Sequence, residues 1–157
     1  MIVHAFDPGD RYGLASAVNG VLTYLDDANT IEDLLGKMRA MPRPDRVVVE
    51  KPTMATTGGP YRYGELRERA GEIVGIVRAL WGDVPVLRPW PLPRDGEPGW
   101  QEVRAGYAGA SKDASIAFVV AHLRRHGIDA SVLRTARGRV RHDAADAGCM
   151  AVWGSEH

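Results

Sequence analysis

The sequence predicts an α/β fold on a mixed five-stranded sheet, three antiparallel strands followed by two parallel ones, with helices on its faces. Apolar runs in the first 25 residues are separated by Asn19-Gly20, the strongest short signal for a β-hairpin. A helical pattern separates these strands from the continuously apolar run Val47–Val49, which is typical of a buried parallel strand. Four further helical patterns, one of them short, follow in the rest of the chain.

Composition sets the outer limits of the prediction. At 157 residues the chain can bury its own core, and we predict one domain spanning residues 1–157. Its 20 basic and 20 acidic residues give zero net charge, so only the placement of charge can indicate a polyanionic partner. The single cysteine, Cys149, is expected to be a small buried residue. With no leader pattern and no membrane-length apolar run, we expect a cytoplasmic protein with no membrane partner.

The antiparallel part of the sheet comes first. A strand is expected over residues 1–6, and Asp7–Asp10 is expected to be a turn, since its Pro and Gly favour a bend. Two more strands are expected over residues 12–17 and 21–25. A type I′ turn at Asn19-Gly20 would join them, because that turn needs positive φ twice.

A helix then crosses to the parallel part of the sheet. Thr30 is its expected N-cap, with Asp33 at the capping-box position, and Pro42 prevents its continuation. The apolar residues at helical spacing are Ile31, Leu34, Leu35, Met38 and Met41. Residues 46–50 then form a buried strand, which the crossover places parallel to the first strand.

The second half of the chain is mainly helical. Residues 51–64 are expected to be flexible and polar, and a helix with a wide apolar stripe is expected over residues 65–81. Its Gly71 and Gly75 indicate either close packing of another helix or an imperfect core helix. The later elements are a strand at 84–87, a connector at 88–93, a short helix at 98–107, a helix at 112–126, a basic segment at 127–141 and a last helix at 142–153. Ser111 is the expected cap of the helix at 112–126. The residues of that helix expected to face inward are Ala114, Ala117, Phe118, Ala121 and Leu123. This order of elements is of the ribonuclease H-like kind.

Four carboxylates stand where this fold would bring them together. Asp7 and Glu50 end the two central strands, and Asp143 and Asp146 share one face of the last helix. The residues around that face are alanine and glycine, so the helix can lie close against the sheet. Clustered carboxylates raise each other's pKa, and a divalent cation such as Mg²⁺ relieves that repulsion. The pattern therefore predicts a metal centre, where two ions about 4 Å apart can activate water and stabilise a leaving oxygen.

Two of the four have an ordinary structural alternative. Asp7 can be a turn residue before Pro-Gly, and Asp143 can be an acidic residue at a helix N-terminus. Glu50 and Asp146 have no such alternative and carry the prediction best.

Other candidate sites are weaker. His122 and His126 have the spacing of a zinc-binding helix, but no Glu follows the first histidine, and both are expected to be solvated. His4 is expected to be a satisfied core or face residue.

These motifs resemble a known family. The run Ile2–Gly9 resembles the opening strand of RuvC-type Holliday junction resolvases, and Val47–Glu50 resembles their second acidic strand. The run His142–Ala147 resembles their closing helix and is the most specific match, whereas the first motif is shared with actin-like ATPases. The segments Pro98–Trp100 and Ser111–Ser115 are similar to phage-borne members. The resemblance covers nearly the whole chain.

The resemblance implies a homodimer that cuts two opposed strands of a four-way DNA junction with Mg²⁺ or Mn²⁺, leaving 5′-phosphates, in recombination and repair. By motif match, Asp7, Glu50, Asp143 and Asp146 are the implied catalytic metal ligands, and Lys112 resembles a lysine near the scissile phosphate. The implied place of action is the cytoplasm, or the host cytoplasm for a bacteriophage protein. We expect the dimer interface on the helix at 65–81, since two cuts require two related sites.

Charge placement agrees with a DNA partner. Four arginines precede Asp143 with no acid among them, although a solvated surface is the ordinary alternative. Two tyrosines after Glu50 either stack on an unpaired base or cap the core. The expected DNA contacts are Lys51, Tyr61, Arg62, Tyr63, Arg67, Arg134, Arg137, Arg139 and Arg141.

Two other functions remain open at this point. One is a ribonuclease H-like nuclease that acts on RNA or on other branched nucleic acids. The other is a junction-binding or actin-like nucleotide-binding module without hydrolysis, and the lack of a second phosphate loop disfavours its actin-like form.

Overall fold

The computed structural model describes residues 1–54, 58–107 and 111–157, with the backbone alone at positions 111 and 112. The strands are β1 (Ile2–Pro8), β2 (Tyr12–Val18), β3 (Val21–Ala28), β4 (Arg46–Val49) and β5 (Val86–Leu87). The helices are α1 (Ile31–Ala40), α2 (Pro60–Trp81), α3 (Ser111–Arg125) and α4 (His142–Glu156), with short 3-10 helices at Trp100–Arg104 and Ala130–Leu133. The sheet order is β3-β2-β1-β4-β5. As predicted, the pairs β1–β2 and β2–β3 are antiparallel, and the pairs β1–β4 and β4–β5 are parallel.

The β2–β3 hairpin turns at Asn19 and Gly20, whose φ angles of 50° and 80° are those of the predicted type I′ turn. The first strand is longer than predicted. Asp7 and Pro8 belong to β1, because they pair with Gly13 and Tyr12 of β2. The predicted turn at Asp7–Asp10 is therefore wrong in its first half.

The crossover to β4 follows the prediction closely. The Thr30 hydroxyl accepts a hydrogen bond from the Asp33 N–H at 3.1 Å and caps α1, which ends at Ala40. Strand β4 then pairs in parallel with β1, and Phe6 lies opposite Val49 in the register. Because the two strands run in the same direction, the residues after this pair, Asp7 and Glu50, lie at the same edge of the sheet.

Two hydrophobic layers enclose the sheet. On one face α3 and α4 pack on Val3, Ala5 and Val48, and on the other face α1 and α2 pack on Phe6, Leu14, Val47 and Val49. Helix α4 lies very close to the sheet, because a Cβ on Gly154 would overlap the Val48 side chain. Cys149 is fully buried in this layer, as predicted.

Helix α2 begins earlier than predicted. Gly59, with a φ of 134°, precedes it, and Pro60 is its first residue, a position that proline favours. Tyr61 and Tyr63 therefore lie in the first turn of a helix rather than in a loop. Gly71 and Gly75 are exposed, and a Cβ on either would meet nothing within 4 Å, so no helix among the described residues packs on them.

The buried face of α3 was predicted only in part. Ala114 and Leu123 are buried as expected, but the strongly buried neighbours are Ser115, Val119 and His122. The other residues predicted inward, Ala117, Phe118 and Ala121, are partly exposed.

The histidines differ in their surroundings. The prediction of a solvated His122 is wrong, because the residue is buried against β3. Its Nε2 accepts a hydrogen bond from the Leu22 main-chain nitrogen at 3.4 Å. His126 is exposed, as predicted. His4 is buried as predicted and bridges the Ser16 hydroxyl at 2.7 Å and the Pro42 carbonyl at 2.8 Å. In the ranges that the structure describes, no helix is long and apolar enough to cross a membrane.

Candidate metal centre

The four predicted carboxylates lie together at one edge of the sheet. Asp7 is buried at the end of β1, Glu50 directly follows β4, and Asp143 and Asp146 lie in the first two turns of α4. Oxygen atoms of Asp7, Asp143 and Asp146 all lie within 4.8 Å of one another. Glu50 stands just outside that group, close enough that the Asp146 charge raises its pKa.

The turn after β1 holds the start of α4 in place. The Arg11 main-chain N–H donates to Asp143 Oδ2 at 3.0 Å. Gly9 and Gly13 leave no room for a side chain, because a Cβ on Gly9 would overlap the Asp143 carboxylate and one on Gly13 its main-chain carbonyl. Glycine at these two positions therefore lets the acidic helix reach the sheet edge.

The electrostatics of the cluster favour a cation. Burial raises the pKa of Asp7 well above its usual range, and the charges of Asp146, Asp143 and Glu50 raise it further. Burial also raises the pKa of Glu50 to about 7, although the hydrogen bond from Trp100 acts in the opposite direction. A compact set of buried and partly buried, hard oxygen donors whose ionised forms repel one another fits Mg²⁺ or Mn²⁺. Asp7, Asp143 and Asp146 would hold such an ion, with Glu50 on the adjoining side.

Three residues that sequence reasoning missed support the carboxylates. The Trp100 indole Nε1–H donates to Glu50 Oε2 at 2.6 Å. Arg104 is buried, with Nη1 3.8 Å from Asp146 Oδ1 and 2.6 Å from the Ser115 hydroxyl. Arg88 holds the end of β4 through its Nε–H, which donates to the Val49 carbonyl at 2.9 Å. Their partners are distant in sequence, and no local pattern marks them.

A fourth missed residue, Trp90, forms a basic aromatic cluster with Arg94 and with Lys51, the residue that follows Glu50. Lys51 Nζ lies 4.9 Å from the ring centroid, and the Arg94 guanidinium carbon lies 4.4 Å from it. The Lys51 N–H donates to the Pro89 carbonyl at 2.9 Å, which joins this cluster to the end of β4. Among the expected DNA contacts, Lys51 directly follows Glu50 in the sequence.

The other expected DNA contacts differ in exposure. Tyr61 is 85% exposed at the start of α2, while Tyr63 is partly buried. Arg67 and Arg137 are exposed. The structure thus leaves the Tyr61 ring accessible for stacking.

Several expected DNA contacts have partners within the chain. Arg62 is bound to Asp10 and to Glu65. Arg139 contacts Asp27 at 3.0 Å, and Arg141 lies 3.8 Å from Asp26. The Arg134 guanidinium donates to the Gly138 carbonyl at 3.2 Å. The basic run before α4 is therefore partly neutralised by acids of β3, which lie far from it in sequence.

Lys112 lies near the start of α3, and its side chain is outside the part of the chain that the structure describes. Its role near a scissile phosphate stays a prediction.

Comparison with known proteins places this geometry in a known architecture. No protein-family model matches the chain. No curated protein matches its sequence either. Its structure is similar to RuvC of Thermus thermophilus in complex with a Holliday junction substrate, with a TM-score of 0.59, 22% identity and coverage of 97% of this chain and 91% of that one. It is also similar to a second structure of Thermus thermophilus RuvC, with a TM-score of 0.59, 21% identity and coverage of 99% and 96%. The chain therefore has a RuvC-like fold of ribonuclease H-like architecture.

Proposed function

We propose that the protein is a metal-dependent endonuclease that resolves four-way DNA junctions. The observation that carries the proposal is the cluster of Asp7, Asp143 and Asp146 oxygens within 4.8 Å, beside Glu50, in a RuvC-like fold. The similar RuvC structure contains a Holliday junction substrate, which supports the substrate class. We infer that residues 1–157 form one nuclease domain that acts in the cytoplasm, where its DNA substrate would lie.

The mechanism follows from the donor set. Bound Mg²⁺ or Mn²⁺, one or two ions, would supply activation of the attacking water and stabilisation of the leaving oxygen. Asp7 would bind from the sheet and Asp146 from the helix, while the Arg11 N–H keeps Asp143 turned toward the turn after β1. In-line attack of the water oxygen on phosphorus would break the bond from phosphorus to the 3′ oxygen. The products would be a 5′-phosphate and a 3′-hydroxyl.

The DNA would lie along the edge of the sheet that bears the carboxylates. Lys51, the residue after Glu50, and Arg94 both contact the Trp90 ring, and Arg67 and Tyr61 are exposed on α2. Basic side chains bind backbone phosphates, and exposed rings stack on unpaired bases. With a net charge of zero, the affinity for DNA would come from these local groups.

Paired cuts require two sites related by symmetry, and we propose a homodimer through α1 and α2. These helices border a groove of about 550 Å³ whose apolar residues include Leu35, Ile76 and Leu80. Arg39 and Glu72 lie at the same groove, and a two-fold axis that brings Arg39 of one copy to Glu72 of the other would pair opposite charges. The exposed Gly75 in the groove leaves space for the partner helix.

A cleavage assay with three substrates tests the function. Labelled four-way junction, linear duplex and RNA–DNA hybrid are incubated with Mg²⁺ and the native protein, Asp7→Asn or Asp146→Asn. Asp83→Asn is the matched control, because Asp83 is 96% exposed, pairs with Arg43 and is not one of the clustered carboxylates. Symmetric nicks in the junction alone, lost in both cluster variants and kept in the control, are the expected result.

The other results would decide against the proposal. Cleavage of the hybrid would favour a ribonuclease H-like nuclease with an RNA substrate. Junction binding without cleavage by the native protein would favour a non-catalytic module. Cleavage that persists in both cluster variants would remove the carboxylates from the mechanism.

A further inference from the structure

We propose that Trp100 is a positioning residue of the metal centre, which fixes the orientation of Glu50. Trp100 is 2% exposed, and its Nε1–H donates to Glu50 Oε2 at 2.6 Å. A carboxylate has two oxygens, so this bond occupies one of them and leaves Oε1 for a cation. The inference rests on the proposed metal-dependent function and assigns a task to a residue that would touch neither ion nor DNA.

The indole is itself held on several sides. The main-chain N–H of Trp100 donates to the Trp90 carbonyl at 3.0 Å. Gly99 lies so close to Leu92 that a Cβ on Gly99 would overlap the Leu92 backbone. The guanidinium carbon of Arg104, four residues on, lies 5.2 Å from the ring centroid of Trp100. A donor fixed in this way can set the direction of a flexible side chain.

The same short helix reaches a second carboxylate. Arg104 stacks on Trp100 and also lies 3.8 Å from Asp146 Oδ1, with its Nη1 bound to the Ser115 hydroxyl at 2.6 Å. The 3-10 helix Trp100–Arg104 thus contacts one ligand from β4 and one from α4. It holds these two carboxylates, which come from different elements, in a fixed relation.

Glu50 needs such a support because it follows the last residue of β4. Its main-chain carbonyl is held by Arg88 at 3.4 Å, but its side chain has several free torsions. Without the indole N–H the carboxylate would sample several orientations, and a cation would have to order it on binding. Residues that hydrogen-bond to metal ligands contribute about 10- to 100-fold to metal affinity.

Mn²⁺ binding to the protein without DNA tests the proposal. Free Mn²⁺ is measured by electron paramagnetic resonance for the native protein, Trp100→Phe and Trp153→Phe. Trp153 is a matched control, because it is also buried and its Nε1 has no hydrogen-bond partner within the described ranges. We expect the dissociation constant to rise about tenfold in Trp100→Phe and to stay unchanged in Trp153→Phe.

A dependence on metal concentration separates positioning from general damage. In Trp100→Phe the Mg²⁺ concentration for half-maximal junction cleavage should rise about tenfold, and the rate at saturating Mg²⁺ should recover. A lowered rate that excess Mg²⁺ does not restore would overturn the proposal, as would equal Mn²⁺ affinities in the two variants. If the native protein binds no Mn²⁺, the proposed function fails, and this inference fails with it.

A measurement on the native protein covers the case in which Trp100→Phe does not fold. The chain has four tryptophans, and their ¹⁵N-labelled indole signals are assigned with Phe variants of the other three. Addition of Mg²⁺ should shift the Trp100 signal and leave that of Trp153 in place. A Trp100 signal that does not respond to Mg²⁺ would overturn the proposal.

Discussion

Gly13 in β2 lies directly beneath the main-chain carbonyl of Asp143, and a methyl group on Gly13 would overlap that oxygen. The first turn of α4 thus rests on the backbone of β2 with no side chain between them. The position of Asp143 at the cluster depends on this contact, because any spacer would lift the helix from the sheet edge.

Gly13→Ala should therefore destabilise the protein by about 1–3 kcal/mol, the usual cost of overpacking a closed contact. Thermal unfolding in EDTA measures the change. Gly36→Ala is the matched control, since Gly36 lies in α1 with nothing within 4 Å of a Cβ, and alanine there should stabilise the helix by about 1 kcal/mol. Equal effects in both variants would contradict the close contact at Gly13.

Asp7→Asn should stabilise the metal-free protein while it abolishes cleavage. Burial and three neighbouring carboxylates raise the pKa of Asp7, so the ionised form is disfavoured in the folded state, and a neutral amide removes this penalty. We expect a higher melting temperature in EDTA at pH 8 and a loss of activity greater than about 100-fold, beyond the range of supporting residues. A lower melting temperature in EDTA would show that the Asp7 charge is compensated in the fold.

The stability of the metal-free protein should fall as the pH rises. The pKa of Glu50 is raised from 4.5 to about 7 in the folded state, so the folded protein binds more protons than the unfolded chain between these values. Stability from this group is complete below about pH 4.5 and is lost by about pH 7, at most about 3 kcal/mol. Chemical denaturation in EDTA at pH 5 and pH 8 measures this difference.

Mg²⁺ should act in the opposite direction, because it binds the ionised carboxylates. It should raise the melting temperature more at pH 8 than at pH 5, where protons compete with it. Glu50→Gln is the control and should reduce the pH dependence of the metal-free protein, leaving the part that Asp7 contributes. A pH dependence unchanged in Glu50→Gln would assign it to other groups.

Ile76→Glu should dissociate the proposed dimer. Ile76 lies in the apolar groove between α1 and α2, and a buried unpaired charge at a subunit interface is costly. Analytical ultracentrifugation at micromolar concentration should show a monomer of the variant and a dimer of the native protein, and junction cleavage by the variant should give single nicks in place of paired cuts. Val18→Glu is the control, since Val18 is 38% exposed and lies outside this groove. A native protein that is monomeric at micromolar concentration would contradict the paired-cut scheme.

The arginines should separate into two groups by their effect on DNA binding. Arg67→Ala should reduce the slope of log affinity against log salt concentration by about one, because Arg67 is exposed and available to a phosphate. Arg139→Ala should leave the slope nearly unchanged and lower stability by about 1 kcal/mol, because Arg139 is bound to the buried Asp27. Fluorescence anisotropy with a labelled junction at several salt concentrations measures the slopes. Equal slopes in the two variants would show that Arg139 leaves Asp27 to bind DNA.

Local signals in the sequence were sufficient for the frame of the fold. Asn19-Gly20 and the Thr30 cap act over a few residues. The continuous apolar run of β4 predicts a strand buried on both faces without knowledge of its neighbours. The four carboxylates could be found because strand ends and one helix face are positions that can be read from a pattern.

Contacts between distant segments could not be read in this way. Trp100 and Glu50 are 50 residues apart, and nothing near either residue indicates the other. The acids that pair with Arg139 and Arg141 lie on β3, more than 100 residues away, so the sequence near these arginines does not indicate the ion pairs. The start of α2 differs from the prediction for a local reason: Gly58 and Gly59 favour a loop, whereas Pro60 is also a residue that favours the first position of a helix.

The carboxylates of the cluster come from β1, the end of β4 and α4, three elements that are synthesised in this order. A chain still on the ribosome, with α4 not yet made, holds Asp7 and Glu50 but neither helix ligand. Such a chain cannot assemble the cluster, so the ability to cut DNA would arise only when α4 docks. For the same reason, an ion bound to the cluster would stabilise the whole fold, because it joins segments that separate on unfolding.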